Sequence, residues 1–123
     1  MTYKGVELYE KDGAYGVLVS PGFGAGWSTW EKDELAYDKR VVEFWLSHKD
    51  DAEWMSTVDY GVSPAAKEAK GFFESIGYGD PYMGGFDQIV LKFVGPGVWW
   101  RITEYDGSES LETFENAGFV KFD

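Results

Sequence analysis

Few residues in this chain could perform chemistry, and most of those are carboxylates. There is one histidine, His48, and no cysteine. A serine-type triad needs an imidazole held by a carboxylate against a nucleophile. His48 instead ends a Lys- and Asp-rich helical stretch, where the helix dipole favours a solvated terminal residue. One His without Cys also gives no zinc set. The carboxylates, Asp33, Asp38, Asp87, Glu104 and Glu109 among them, match no calcium-loop spacing. Only their separation in space would decide a glycosidase-type acid/base pair. The pattern predicts a protein that is not an enzyme, with no catalytic residue, no metal and no cofactor.

Two segments carry a stronger signal for binding. The first is Gly22-Phe23-Gly24-Ala25-Gly26, between a predicted strand and a predicted helix start. Glycines there let backbone N–H groups approach an anion. No Lys-Ser/Thr follows, so it is not a P-loop, and the glycine spacing is wrong for a dinucleotide fingerprint. The competing reading is a tight surface loop that needs positive φ. The second segment is Val98 to Tyr105. Period-2 geometry sets Trp99, Arg101, Thr103 and Tyr105 on one face. That face puts a guanidinium between two large rings, a platform for stacking a base and gripping a phosphate. The other face, Val98, Trp100, Ile102 and Glu104, is mostly apolar and is expected to pack on the helices. Arg40 and Arg101 are the chain's two arginines. For Arg101 a ligand role and a structural ion pair to Asp87 or Glu104 both stand; Arg40 reads as structural.

The elements that must position these segments follow from hydrophobic period and turn residues. Residues 6–10 and 14–19 read as a hairpin closed at Lys11-Asp12-Gly13. Ser28-Thr29-Trp30-Glu31 matches a capping box, which predicts a short helical turn through Leu35. Residues 39–48 read as a helix with Val41, Val42 and Trp45 on its apolar stripe. Ser63-Pro64 starts another helix, carrying Ala69, Phe72, Phe73 and Ile76, that Gly77 stops. Residues 87–94 and 98–105 read as a second hairpin across Gly95-Pro96-Gly97. Asp106-Gly107 turns the chain again, and residues 111–122 hold one or two short strands. This order predicts one α+β domain over residues 1–123, a mostly antiparallel sheet with two main helices on one face.

Composition bounds the partners. The chain has 123 residues and a formal net charge of −11, one domain's length. A field of that sign repels nucleic acid and anionic membrane. No stretch is apolar enough to span a membrane, and the start of the chain lacks a signal-peptide core. The absence of Cys fits a reducing cytoplasm. Aromatic residues reach 19%, more than a core of this size needs, so some are expected at a ligand surface or interface.

Gly24-Ala25-Gly26-Trp27-Ser28-Thr29-Trp30, Tyr82-Met83-Gly84-Gly85 and Arg101-Ile102-Thr103-Glu104-Tyr105-Asp106-Gly107-Ser108-Glu109-Ser110 together resemble motifs of small phage-encoded proteins. The pattern is similar to the phage anti-Thoeris sponge family. That resemblance implies a non-enzymatic counter-defence protein of the host cytoplasm. Such a protein sequesters a cyclic ADP-ribose signal, and in some members cyclic oligonucleotides, in a homo-oligomeric assembly. The glycine loop, the Arg101 face and the resemblance together give the candidate ligand-binding set Gly24, Ala25, Gly26, Trp27, Ser28, Trp99, Arg101, Thr103, Tyr105 and Asp106. Roughly a dozen N-terminal residues and a C-terminal tail depart from the family's form and are placed to add a strand or cover the site. The −11 charge and surplus rings support an alternative, an acidic inhibitor that binds a basic host protein.

Overall fold

Three short hairpins are closed by the same turn chemistry. Lys4-Gly5, Asp12-Gly13 and Asp106-Gly107 each place two successive residues at positive φ, between 50° and 83°. That is the two-residue turn whose twist matches paired strands. The turns join β1 (Thr2–Tyr3) to β2 (Val6–Glu7), β3 (Glu10–Lys11) to β4 (Ala14–Val19), and β6 (Trp99–Tyr105) to β7 (Ser108–Thr113). The computed structural model describes every residue except Ala25, residues 114–119 and Asp123.

Two further strands complete the sheets. β5 (Val90–Val94) pairs with β4, and β8 (Val120–Lys121) pairs with β6. The sheet orders are β1-β2, β3-β4-β5 and β7-β6-β8, all antiparallel. The expected hairpin between residues 87–94 and 98–105 does not form. After Gly95-Pro96-Gly97 the chain changes sheet, and Gly97 N–H donates to the carbonyl of Phe122. The reason lies in β4, whose last five residues are buried. A strand buried on both faces takes a central place and needs a partner on each edge. It takes β3 and β5, which leaves β6 to pair with the tail.

β4 therefore serves two cores. Leu18 belongs to one, with Trp27, Val41, Val42, Trp45, Phe73 and Phe86. That core is built by α1 (Lys39–His48), α2 (Ala52–Thr57) and α3 (Pro64–Ser75). Tyr15, Val17 and Val19 belong to the other, with Leu8, Tyr37, Trp100 and Phe122. Trp100 and Ile102 thus pack in the sheet core, away from the helices on which they were expected. The result is a small α+β domain in layers: helices, the β4 sheet, then the β6 sheet.

The helices begin where cap chemistry places them. The Ser63 Oγ accepts from Ala66 N–H at 3.0 Å, and Pro64 opens α3. Asp38 caps α1, its Oδ1 accepting from Arg40 N–H at 2.9 Å. Asp51 caps α2, a helix the sequence reading lacks, by accepting from Trp54 N–H at 3.0 Å. Ser28-Thr29-Trp30-Glu31 instead forms a 3-10 turn, Ser28–Trp30, whose cap position makes no side-chain bond.

Asp38 is 1% exposed. Burial alone would raise its carboxyl, but bonds from Arg40 Nη2 at 2.7 Å and from Tyr78 Oη at 2.7 Å outweigh it. The folded carboxyl sits below the ordinary value of 3.8. Stability from a group so depressed is fully present above about pH 4 and is lost as pH falls through the folded pKa. Urea titrations of the wild type and Asp38→Asn across pH should show a stability gap that is widest above pH 4 and closes below it.

Candidate functional site

The glycine-rich loop is organised from within the protein. Gly24 N–H donates to the Asp106 carbonyl at 2.6 Å, and Gly26 N–H to the Gly107 carbonyl at 2.8 Å. Trp27 N–H and Thr29 N–H both donate to Glu109 Oε2 at 3.0 Å, and the Thr29 hydroxyl donates to the same oxygen. Ser20 N–H donates to Glu109 Oε1 at 3.0 Å. Glu109 is 1% exposed. An anion does sit on the Trp27 and Thr29 amides, as glycine-loop chemistry predicts, but it is the protein's own carboxylate, and the Gly24 and Gly26 amides are taken by backbone carbonyls. The expectation that the amides of Gly24, Gly26 and Trp27 receive a ligand anion is corrected accordingly. Ala25 lies outside the described residues. Trp27 is fully buried, its ring packed edge-on against Phe86 at 5.4 Å and Phe73 at 6.0 Å, so its side chain forms core and no ligand wall.

The three quoted motifs meet at this loop. Tyr82 Oη donates to the Gly24 carbonyl at 3.1 Å, and Tyr82 N–H to Glu31 Oε1 at 2.9 Å. Trp30 Nε1 donates to Glu104 Oε1 at 2.9 Å, and Ser20 Oγ to the Gly85 carbonyl at 2.9 Å. Gly26 has a φ of 38°, and a Cβ there would come within 2.1 Å of the Trp30 ring. The glycine is required by that close approach.

The predicted β6 face lies as alternation dictates, but its members are engaged separately. Arg101 pairs across strands with Glu112, which is opposite it in register, at 3.4 Å. The partner is neither Asp87 nor Glu104. Trp99 carries the Lys121 ammonium 5.0 Å above its ring. The Thr103 hydroxyl is 3.3 Å from Glu112 Oε1. Tyr105 is exposed and meets Phe23 edge-on at 6.5 Å. Asp106 is a turn residue with φ of 50°.

A cavity of about 280 Å³ opens beside this strand. Two predicted residues, Ser28 and Arg101, line it. Tyr3, Lys4, Thr29, Asp33, Tyr37, Trp100 and Ile102 complete it. The N-terminal hairpin thus supplies one wall, through Tyr3 and Lys4. Tyr37 and Trp100 are buried, their rings 6.1 Å apart. Among the described residues, the Tyr37 hydroxyl and the Trp100 indole N–H find no hydrogen-bond partner. Burial, and then the charge of Glu34, push the Tyr37 phenol up, so at neutral pH it is a donor. Two cations stand at the rim, Lys4 paired to Asp33 at 3.7 Å and Arg101 to Glu112 at 3.4 Å.

No family model, curated protein or solved structure matches this chain. His48 is remote from the cavity lining; it stacks on Trp54 at 3.8 Å and pairs with Glu68 at 3.4 Å. Among the described residues no group of three or more His, Cys, Asp or Glu could hold a metal ion, and no helix is long and apolar enough to cross a membrane.

Sequence pointed to Arg101 and Ser28 but missed Tyr37 and Trp100. An alternation pattern assigns Trp100 to a buried face and says nothing of a void beside it. The Glu109 anchor is testable directly. Hydrogen bonds to a charged acceptor contribute about 1.5–3 kcal/mol each. Glu109→Ala should therefore cost more than about 3 kcal/mol in urea unfolding, and Glu109→Gln, which keeps one acceptor oxygen, about 2 kcal/mol.

Proposed function

We propose that this protein captures a small ligand carrying both a flat ring and negative charge, without converting it, in the cavity beside β6. The supporting observation is a cavity whose wall includes the rings of Tyr3, Tyr37 and Trp100 and whose rim carries Lys4 and Arg101. Rings within the wall supply stacking, worth about 1–3 kcal/mol per base. Lys4 and Arg101 supply charge at the rim. The Lys4–Asp33 pair is long and half-exposed, the class of ion pair worth about 0–1 kcal/mol, so exchanging it for a phosphate oxygen loses little.

The ligand class we favour is the cyclic ADP-ribose type, in keeping with the resemblance of the three motifs. Cyclic oligonucleotides are the related class. In this reading the protein is a phage counter-defence sponge acting in the host cytoplasm. The cavity is at the small end of ligand pockets, which run about 300–1,000 Å³. It accommodates one ring system with a phosphate, and a second protomer would supply the remaining contacts. Nanomolar capture requires about −12 kcal/mol, more than one such wall provides, which favours a homo-oligomer.

Calorimetry with cyclic ADP-ribose isomers should show binding heat, and the ligand should be recovered intact after heating. Arg101→Ala should weaken binding about tenfold, the scale of one charge-assisted hydrogen bond. Absence of heat with cyclic ADP-ribose isomers and with cyclic di- and trinucleotides would overturn the reading.

A further inference from the structure

The glycine loop displays large rings that the cores do not use. Phe23 and Tyr105 are 75% and 77% exposed, and Trp30 and Tyr82 are 43% and 41% exposed. They form two pairs, with centroids 6.5 Å apart for Phe23–Tyr105 and 5.3 Å for Trp30–Tyr82. The pairs are joined through one stretch of backbone. Gly24, next to Phe23, is bonded through its N–H to Asp106, next to Tyr105, and through its carbonyl to Tyr82. The rings are thus fixed on a hydrogen-bonded frame anchored by Glu109. Exposed rings clustered in this way mark an interaction site more often than isolated ones do.

The charge between the rings is negative. Glu104 accepts from the Trp30 indole and Glu31 from the Tyr82 amide, both neutral donors. Among the described residues no ion pair involves Glu31, Glu104 or Asp106. The nearest cation in sequence, Lys32, is exposed and takes part in none of these pairs either. Ring faces interleaved with carboxylates suit one side chain above others. A guanidinium stacks flat on an aromatic face and donates a fork of N–H groups to a carboxylate. An ammonium lacks the flat face. Nucleic acid would stack, but a net charge of −11 repels its phosphates. A second copy docked through this face by a two-fold axis would bring the same carboxylates together.

We propose that Phe23, Tyr105, Trp30 and Tyr82, with Glu31 and Glu104, form a docking surface for an arginine-rich segment of another protein. This site is separate from the cavity and does not depend on it. The rings supply stacking and the carboxylates supply direction and steering.

Fluorescence anisotropy with a dye-labelled nona-arginine peptide tests it, with nona-lysine and nona-glutamate as controls. The arginine peptide should bind several-fold more tightly than the lysine peptide, weaken as salt rises, and leave the glutamate peptide unbound. Phe23→Ser combined with Tyr105→Ser should weaken arginine binding about tenfold, the scale of two lost ring–guanidinium contacts, and abolish the preference over lysine. The melting temperature should hold, because both side chains are exposed. Equal binding of the arginine and lysine peptides would overturn the proposal, leaving only diffuse charge attraction. So would a double variant that binds as the wild type does, absence of binding, or sedimentation showing that these rings mediate self-association. Cavity binding, read by calorimetry on Phe23→Ser alone, should be unchanged, because Phe23 does not line the cavity, so failure here and failure of the capture reading are distinguishable.

Discussion

Glu109 carries a charge in a place almost closed to water, and four donors converge on its two oxygens: the amides of Ser20, Trp27 and Thr29 and the Thr29 hydroxyl. A buried carboxylate is tolerated only when its lone pairs are met in this way. The donors come from the end of β4 and the following loop, the acceptor from β7, roughly eighty residues later. The contact therefore ties the β4 sheet to the β6 sheet. It also fixes the backbone of the glycine loop, which in turn sets where Phe23, Trp30 and Tyr82 stand. The Ser28–Thr29 wall of the cavity and the ring cluster are both consequences of that internal anion.

β4 is the second constraint. Its alternate residues feed two separate cores, Leu18 one and Val17 and Val19 the other. Neither layer can shift without unpacking this strand. Gly16 illustrates the tolerance: a Cβ there would meet the Leu91 and Tyr9 side chains at 2.9 and 3.0 Å. Close packing of this kind transmits local change across both layers.

What could be read from sequence was local. α1 and α3 and the Asp12-Gly13 and Asp106-Gly107 turns were legible because each is decided by nearby residues: an apolar stripe, a capping Ser63, a Gly with φ above zero. The Ser28 capping box was misleading. Its pattern was right for a self-capped helix, but the free amides were claimed by a carboxylate that no local window contains. The residues 87–105 hairpin failed for the same reason, since strand partnership was decided by the two-sided burial of β4. The face of Arg101 was legible from alternation, whereas Glu112 as its partner required the β6–β7 register. Tyr3, Lys4 and Tyr37 could not be linked to Trp100, because only tertiary packing brings those segments together.

The N-terminal ribbon of β1 and β2 has two residues in each strand, too little to persist by itself. It is held from outside itself: the Tyr3 ring sits edge-on between Tyr37 at 5.6 Å and Phe122 at 5.2 Å, Leu8 bridges to Asp38, and Lys4 and Glu7 reach Asp33 and Lys39. The wall that Tyr3 and Lys4 give the cavity is therefore borrowed from the rings behind it, and loss of the buried Phe122 ring would loosen a wall that Phe122 does not itself line.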